Sequence, residues 1–118
     1  MEKIYNFLNK FLKLLFIIFL FLTNKRMILK IPLYAKPLVS IIIPSHNNFR
    51  YTYNCISSIL KVEPLVPYEI IIGNDMSTDN TRIIGRYLAN IIVHNNNYKN
   101  NFLMNCNEMA KLSSGKYL

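Results

Sequence analysis

Cysteine is nearly absent from this chain: Cys55 and Cys106 are its two thiols. Neither belongs to a Cys-x-x-Cys pair or has a histidine at metal-ligand spacing, which excludes a disulfide framework and a zinc ribbon. Both fall in segments of helical periodicity and are expected to be small buried residues in a reducing compartment. His46 and His94 are too isolated to form a zinc site. Acid is scarce as well, six Asp/Glu against fourteen Lys/Arg for a net charge of +8. That excess is not where a nucleic-acid binder would carry it. Residues 1–37 hold seven basic side chains against Glu2, a net +6, whereas residues 38–118 hold seven against five acids, a net +2. With no basic stripe interleaved with aromatics on the later part, nucleic acid is not an expected partner. No internal repeat is present, and 118 residues leave room for one domain at most.

A long hydrophobic run is also missing. The longest, Leu14 to Leu22, has nine residues, and at 1.5 Å each it covers less than half of a ~30 Å hydrocarbon core. A signal peptide would fit the basic start, but no small-x-small cleavage site follows and the next residues, Lys25 and Arg26, are basic. What the segment does have is helical spacing: Ile4, Leu8, Phe11, Leu12, Leu15, Phe19 and Leu22 on one face, Lys3, Asn6, Lys10 and Lys13 on the other. A helix lying in the membrane interface, lysines at anionic headgroups, fits this best, ahead of a helix packed on protein. Residues 1–30 are read as that hydrophobic, basic helix, and residues 31–37, broken by Pro32 and Pro37, as a linker.

Residues 38–118 read as an alternation of strands and helices. Val39–Ile43 and Glu69–Ile72 are short, apolar, β-branched runs bounded by turn formers, the pattern of strands buried on both faces. Pro44 is expected to end the first. Asn47 or Asn48 is expected to cap a helix with Tyr53, Ile56, Ile59 and Leu60 inward, stopped by Glu63-Pro-Leu-Val-Pro67. Ser77 or Thr78 should cap a further helix to about Leu88, with Ile83, Ile84 and Tyr87 inward. Ile91–Val93 should form a third strand and 94–101 a polar connection. Phe102–Leu112 should be a helix closed by Gly115 as its C′ glycine, and Lys116-Tyr-Leu118 should begin a fourth strand. Short connections of this kind imply parallel pairing and right-handed crossovers. The expected fold is therefore α/β, a partial doubly wound, Rossmann-like parallel sheet preceded by an N-terminal amphipathic helix.

Chemistry is expected at the two strand tips, Pro44-Ser-His-Asn-Asn48 and Gly73-Asn-Asp-Met-Ser-Thr78, because ligands of open α/β sheets bind beyond the carboxyl ends of the strands. Asp75 leads the candidates: its carboxylate can accept a hydrogen bond from a ligand N–H or from ribose hydroxyls. Pro44 and Ser45 would bring backbone groups and a small side chain to a planar ring. His46 could stack on that ring, and Asn47 either caps the helix or contacts the ligand. Asn74 and Ser77 are secondary, Ser77 and Asp79 having capping as their simpler use. Lys99, in the asparagine-rich stretch, could meet a phosphate.

These residues carry a resemblance. Val39-Ser-Ile-Ile-Ile-Pro-Ser-His-Asn47, then Tyr68-Glu-Ile-Ile-Ile-Gly-Asn-Asp-Met-Ser-Thr-Asp-Asn-Thr81, then Asn107 and Gly115-Lys-Tyr117 resemble the start of a family 2 glycosyltransferase with the GT-A fold. The resemblance implies that residues 38–118 are the N-terminal, nucleotide-binding half of such a domain. It implies a nucleotide-sugar donor (a UDP-sugar ahead of a GDP-sugar), usually with Mg²⁺ or Mn²⁺, and transfer to a glycan or lipid-linked acceptor in cell-envelope polysaccharide synthesis. By position Asp75 matches the base-recognising acid, Pro44 through Asn47 line the nucleoside pocket, and Asn107 matches a later site asparagine. The location implied is cytoplasmic, peripheral on the inner membrane face. Three departures stand out: Asn74 where a first acid is common, His46 where tyrosine is common, and Met109 where glycine often follows. The Asp-x-Asp metal motif would come after Leu118, so no metal ligand or catalytic base is assigned here, and these residues alone are expected to be inactive and poorly soluble.

Two other readings follow from the same residues. One is a non-catalytic, membrane-attached fragment or the partner of a second chain. The other is a metal-dependent adhesion-type binding domain, because Asp75-Met-Ser-Thr-Asp79 is similar to the Asp-x-Ser-x-Ser site of von Willebrand A-type domains.

Overall fold

A computed structural model describes residues 1–23 and 28–118. The first helix, α1, runs over Glu2–Thr23. Its described apolar side chains, including Ile4, Phe7, Phe11, Leu12, Phe16 and Phe19, stand in solvent. Among the described residues, no helix is long and apolar enough to cross a membrane. The basic pair Lys25 and Arg26, which follows the apolar run, lies outside the described residues.

The next two strands are β1 (Leu29–Lys30) and β2 (Val39–Ser45), followed by α2 (Phe49–Val62) and β3 (Tyr68–Asn74). A 3₁₀ helix, Asn80–Arg86, leads to β4 (Leu88–Ala89) and β5 (Ile92–Asn95), and α3 (Phe102–Leu112) follows. β2, β3 and β5 form a parallel sheet in that order, with Ile42 opposite Ile71 and Ile72 opposite Val93. The expected mixed α/β, parallel architecture is therefore present.

The period of two in β3 divides its side chains between two faces. Tyr68, Ile70 and Ile72 pack with Ile56 of α2 and with Ile84 and Leu88 in one apolar core. Gly73, on the alternate face with Ile71, lies against Asn105 and Met109 of α3. Each of Ile70, Ile71 and Ile72 is fully buried, worth roughly 1.5–3 kcal/mol apiece.

Several boundaries differ from expectation, each for a physical reason. Pro44 does not end its strand: it pairs with Gly73, and β2 continues through Ser45. A missing N–H is tolerated on a strand whose other side carries, among the described residues, only the bridge from Val39 to Tyr117. Residues 29–31, expected to close the helix and open a linker, instead pair in parallel with Leu88–Ala89. Ile31 is wholly buried in the core, its carbonyl receiving Asn90 Nδ2 at 2.9 Å. The helix expected to reach Leu88 is a 3₁₀ segment with a kink at Ile83, capped by Asp79 rather than by Ser77 or Thr78. His94 and Asn95 belong to β5 and not to the connection. Neither thiol is fully buried, Cys55 being exposed and Cys106 half-buried.

Gly115 is not a helix-ending glycine, since α3 closes at Ser113 in extended geometry. It is needed for close approach: a Cβ there would lie 2.6 Å from Ser40 N and 2.8 Å from the Val39 carbonyl carbon. This contact seats Tyr117 beside β2, where its carbonyl accepts from Ser40 N at 2.8 Å and its N–H donates to Leu38 O at 3.1 Å. Glu69 fastens the same corner. Its Oε1 accepts from Ser40 Oγ and Ser114 N, both at 2.6 Å, and its Oε2 from Ser114 Oγ at 2.8 Å. Burial alone would raise this carboxyl, but those hydrogen bonds outweigh it and hold Glu69 below its ordinary value.

Candidate functional site

The tips of β2 and β3 are joined through both backbone and side chains. Asp75 N donates to Ser45 O at 2.8 Å, and His46 Nδ1 lies 2.6 Å from Asp75 O. Because a carbonyl can only accept, that imidazole nitrogen carries the proton, and the ring is fixed against the second tip. Asn47 and Asn48 both take left-handed backbone angles, φ 56° and 59°, which turn the chain into α2. Met76 does the same at φ 52°, the bend after Asp75 that brings Ser77 N to within 3.2 Å of Asn74 Oδ1.

Asn47 ties the two tips together. Its Oδ1 accepts from Thr78 N at 2.8 Å and Asp79 N at 3.3 Å, and its own N–H donates to Ser77 Oγ at 2.8 Å. Neither Asn47 nor Asn48 caps α2 with its side chain. The cap comes from the other tip: Asp79 Oδ2 accepts from Phe49 N at 3.0 Å while Oδ1 accepts from Thr81 N at 2.9 Å. One carboxylate thus starts two helices. Burial pushes the Asp79 carboxyl up, yet the hydrogen bonds from Thr81, Phe49 and Asn48 prevail and hold it below its ordinary value.

Asp75 is held differently. It is only 7% exposed, and its Oδ1 accepts from Asn100 N at 2.7 Å and Asn96 Nδ2 at 3.1 Å. Among the described residues no donor lies against Oδ2. The asparagine-rich stretch is therefore the clamp on Asp75. Asn96 also donates to Asn105 Oδ1 at 3.2 Å, and Asn105 Nδ2 donates to Gly73 O at 2.9 Å. Chains of this kind fix a buried carboxylate because each member would be costly to leave unpaired.

Pro44, Ser45, His46, Asp75, Phe102 and Asn105 line a cleft of about 170 Å³. That is smaller than the roughly 300–1,000 Å³ of sites that enclose a drug-sized ligand. It has room for a ring, not for a large substrate.

Of the expected candidates, the structure brings Pro44, Ser45, His46 and Asp75 to one cleft. Asn47, Asn74 and Ser77 stand behind them as supports, Asn74 donating from Nδ2 to Asn95 Oδ1 at 2.8 Å. Lys99 and Asn107 are exposed and do not line the cleft. Sequence reasoning missed Asn96, Asn100, Asn105 and Phe102. Asn105 was findable, since it lies four residues before buried Met109 and so on the same helix face. Asn100 acts through its backbone, which no side-chain pattern announces.

The residues do not fit the hard divalent cation that the resemblance implies. Such ions take about six oxygen ligands. Among the described residues no three of His, Cys, Asp and Glu converge. Asp79 and Glu69 have committed both oxygens to N–H and O–H donors. The same commitment of Asp79 takes the fifth position of the adhesion-type motif out of metal binding.

The family profile described as glycosyl transferase family 2 matches residues 40–118. None of the curated proteins matches the chain.

Proposed function

The chain belongs to glycosyl transferase family 2, and from that premise we propose that the Asp75 cleft receives the base of a nucleotide-sugar donor. The observation that supports this most is the state of Asp75. It is a buried carboxylate with one oxygen taken by two N–H donors and the other without a partner among the described residues, in a cleft of ring size. A single available oxygen suits the one imide N–H of uracil. Guanine offers two adjacent N–H groups, which match a carboxylate with both oxygens free. A UDP-sugar is therefore the donor proposed, ahead of a GDP-sugar.

Each neighbour has a role in this reading. His46, fixed by its bond to the Asp75 carbonyl, lines the slot together with Phe102, Pro44 and Ser45. Asn96 and Asn100 are positioning residues that hold the carboxylate, and Asn47 keeps the two tips in register. Binding and orienting the donor is the part of sugar transfer to a glycan or lipid-linked acceptor that these residues support. Residues 38–118 act as the donor-binding unit, and α1 lies in the interface of an anionic membrane on its cytoplasmic side, lysines at the headgroups and Phe/Leu side chains among the acyl chains.

The test is a thermal-shift titration of the full chain in nonionic detergent with UDP, UDP-sugars and GDP-sugars. UDP should stabilise the chain, and Asp75→Asn should weaken UDP by roughly 10- to 150-fold, the worth of a hydrogen bond to a charged group. Asparagine keeps an oxygen for Asn96 and Asn100, so the fold should survive. Equal UDP affinity in the variant would refute the assignment.

A further inference from the structure

The end of the sheet opposite the cleft carries an apolar surface with basic residues on it. Leu33, Val62 and Leu65 are 80%, 78% and 103% exposed, and Tyr34, Leu38 and Val66 beside them are also in solvent. They belong to the segment after β1, the end of α2 and the starts of β2 and β3, and so sit at the N-terminal ends of the strands. Lys30, Lys36 and Lys61 are exposed on these segments, with two acids among the described residues nearby: Glu63, and Glu69, whose carboxylate is already held by Ser40 and Ser114. Lys30, Tyr34, Leu60, Leu65 and Tyr68 surround a hollow of about 520 Å³. Side chains this apolar and this exposed are normally covered by something.

We propose that this end of the domain is a second contact with an anionic lipid surface, beside α1, and that it points the cleft away from the bilayer. Two observations select lipid as the occupant. The first is charge: Lys30 lines the hollow, and Lys36 and Lys61 are exposed on the same segments that carry the apolar side chains, the composition that binds acidic headgroups while burying Leu and Val below them. The second is tether length. Lys30 follows Thr23, the last residue of α1, by seven residues, a span of at most about 25 Å. A helix lying in the interface therefore keeps this end of the sheet within reach of the same surface. β2 has seven residues, about 23 Å of strand, so the cleft at its far tip stands clear of the headgroups.

The proposal rests on α1 meeting a membrane, and the test separates the two. The chain has no tryptophan, so a single one can be placed as a reporter. Leu65→Trp and Phe11→Trp, each in the full chain, are mixed with vesicles of equal phosphatidylglycerol and phosphatidylcholine bearing brominated acyl chains. Both indoles should shift to the blue and lose emission. Quenching at residue 11 with residue 65 still in water overturns the second contact and leaves the helix reading intact; quenching at neither site overturns both. An indole at 65 already buried in a chain dimer before vesicles are added assigns the patch to a second copy and also overturns the proposal. Changing Lys30, Lys36 and Lys61 together to glutamine should weaken vesicle binding on the order of a hundredfold. Unchanged binding by that triple variant would contradict the charge argument.

Discussion

Replacing Asp79 with alanine should loosen two helices that are far apart in the chain. The carboxylate caps the first amide of α2 at 3.0 Å and the Thr81 amide of the 3₁₀ helix at 2.9 Å. Losing one side-chain cap costs about 1 kcal/mol, so losing both should cost about 2 kcal/mol. In a domain of this size that lowers the melting temperature by roughly 8–16 °C. The pH dependence has a definite sign. The folded carboxyl is held below its ordinary 3.8, so its stabilisation is complete above that value and fades as pH falls through the lower folded one. The penalty of Asp79→Ala should therefore be full at neutral pH and small in strong acid. Hydrogen exchange read by mass spectrometry, on peptides from Phe49–Val62 and Asn80–Arg86, should show both helix starts exchanging faster in the variant. The comparator is Asn48→Gly, at a residue with φ 59° and no side-chain cap, where glycine relieves the left-handed backbone. Should Asn48→Gly open the start of α2 more than Asp79→Ala does, the cap is local and the reasoning is wrong.

Two further perturbations test the packing around the cleft. Gly73→Ala would drive a methyl group into Asn105 and to 2.8 Å from Met109 Sδ, an overpacking worth about 1–3 kcal/mol in a urea melt, and should weaken UDP as Asn105 is displaced; stability like the parent's would show that α3 gives way freely. Glu69→Gln should cost about 1 kcal/mol at neutral pH, discounted for partial exposure. Since the folded carboxyl lies below its ordinary 4.5, the parent should lose this contribution as acid titrates it and the variant should not; equally steep acid curves for the two proteins would count against the Glu69 clasp.

The strands and helices were legible to the extent that local chemistry forms them. Phe102–Leu112 has the bounds that its periodicity gave, and the isoleucine runs of β2 and β3 pair in parallel as such runs do. The convergence of Pro44, Ser45, His46 and Asp75 was legible too, because a buried strand ending in small polar residues fixes where its tip lies. The caps were not. Asn48 stands next to α2 and has a capping side chain, yet the carboxylate that reaches Phe49 comes from thirty residues later. A sequence window cannot rank a distant acceptor above a near one. Ile31 was misplaced for a similar reason: Pro32 beside it marks a break, while its burial depends on pairing with Leu88–Ala89, which no local signal predicts.

What the sequence by itself determined is the alternation of elements, the α/β class, and the identity of the acid at the second tip. These depend on periods of 2.0 and 3.6 residues and on turn chemistry, all carried within a few positions. Only the tertiary structure decided how that acid is held, since Asn96, Asn100 and Asn105 are ordinary polar residues until folding brings them to Asp75 and Gly73. It also separated the asparagines and serine that support the cleft from the side chains that line it. The physical reason is that a hydrogen bond is satisfied by whichever partner the packed backbone brings near, and separation along the chain does not enter.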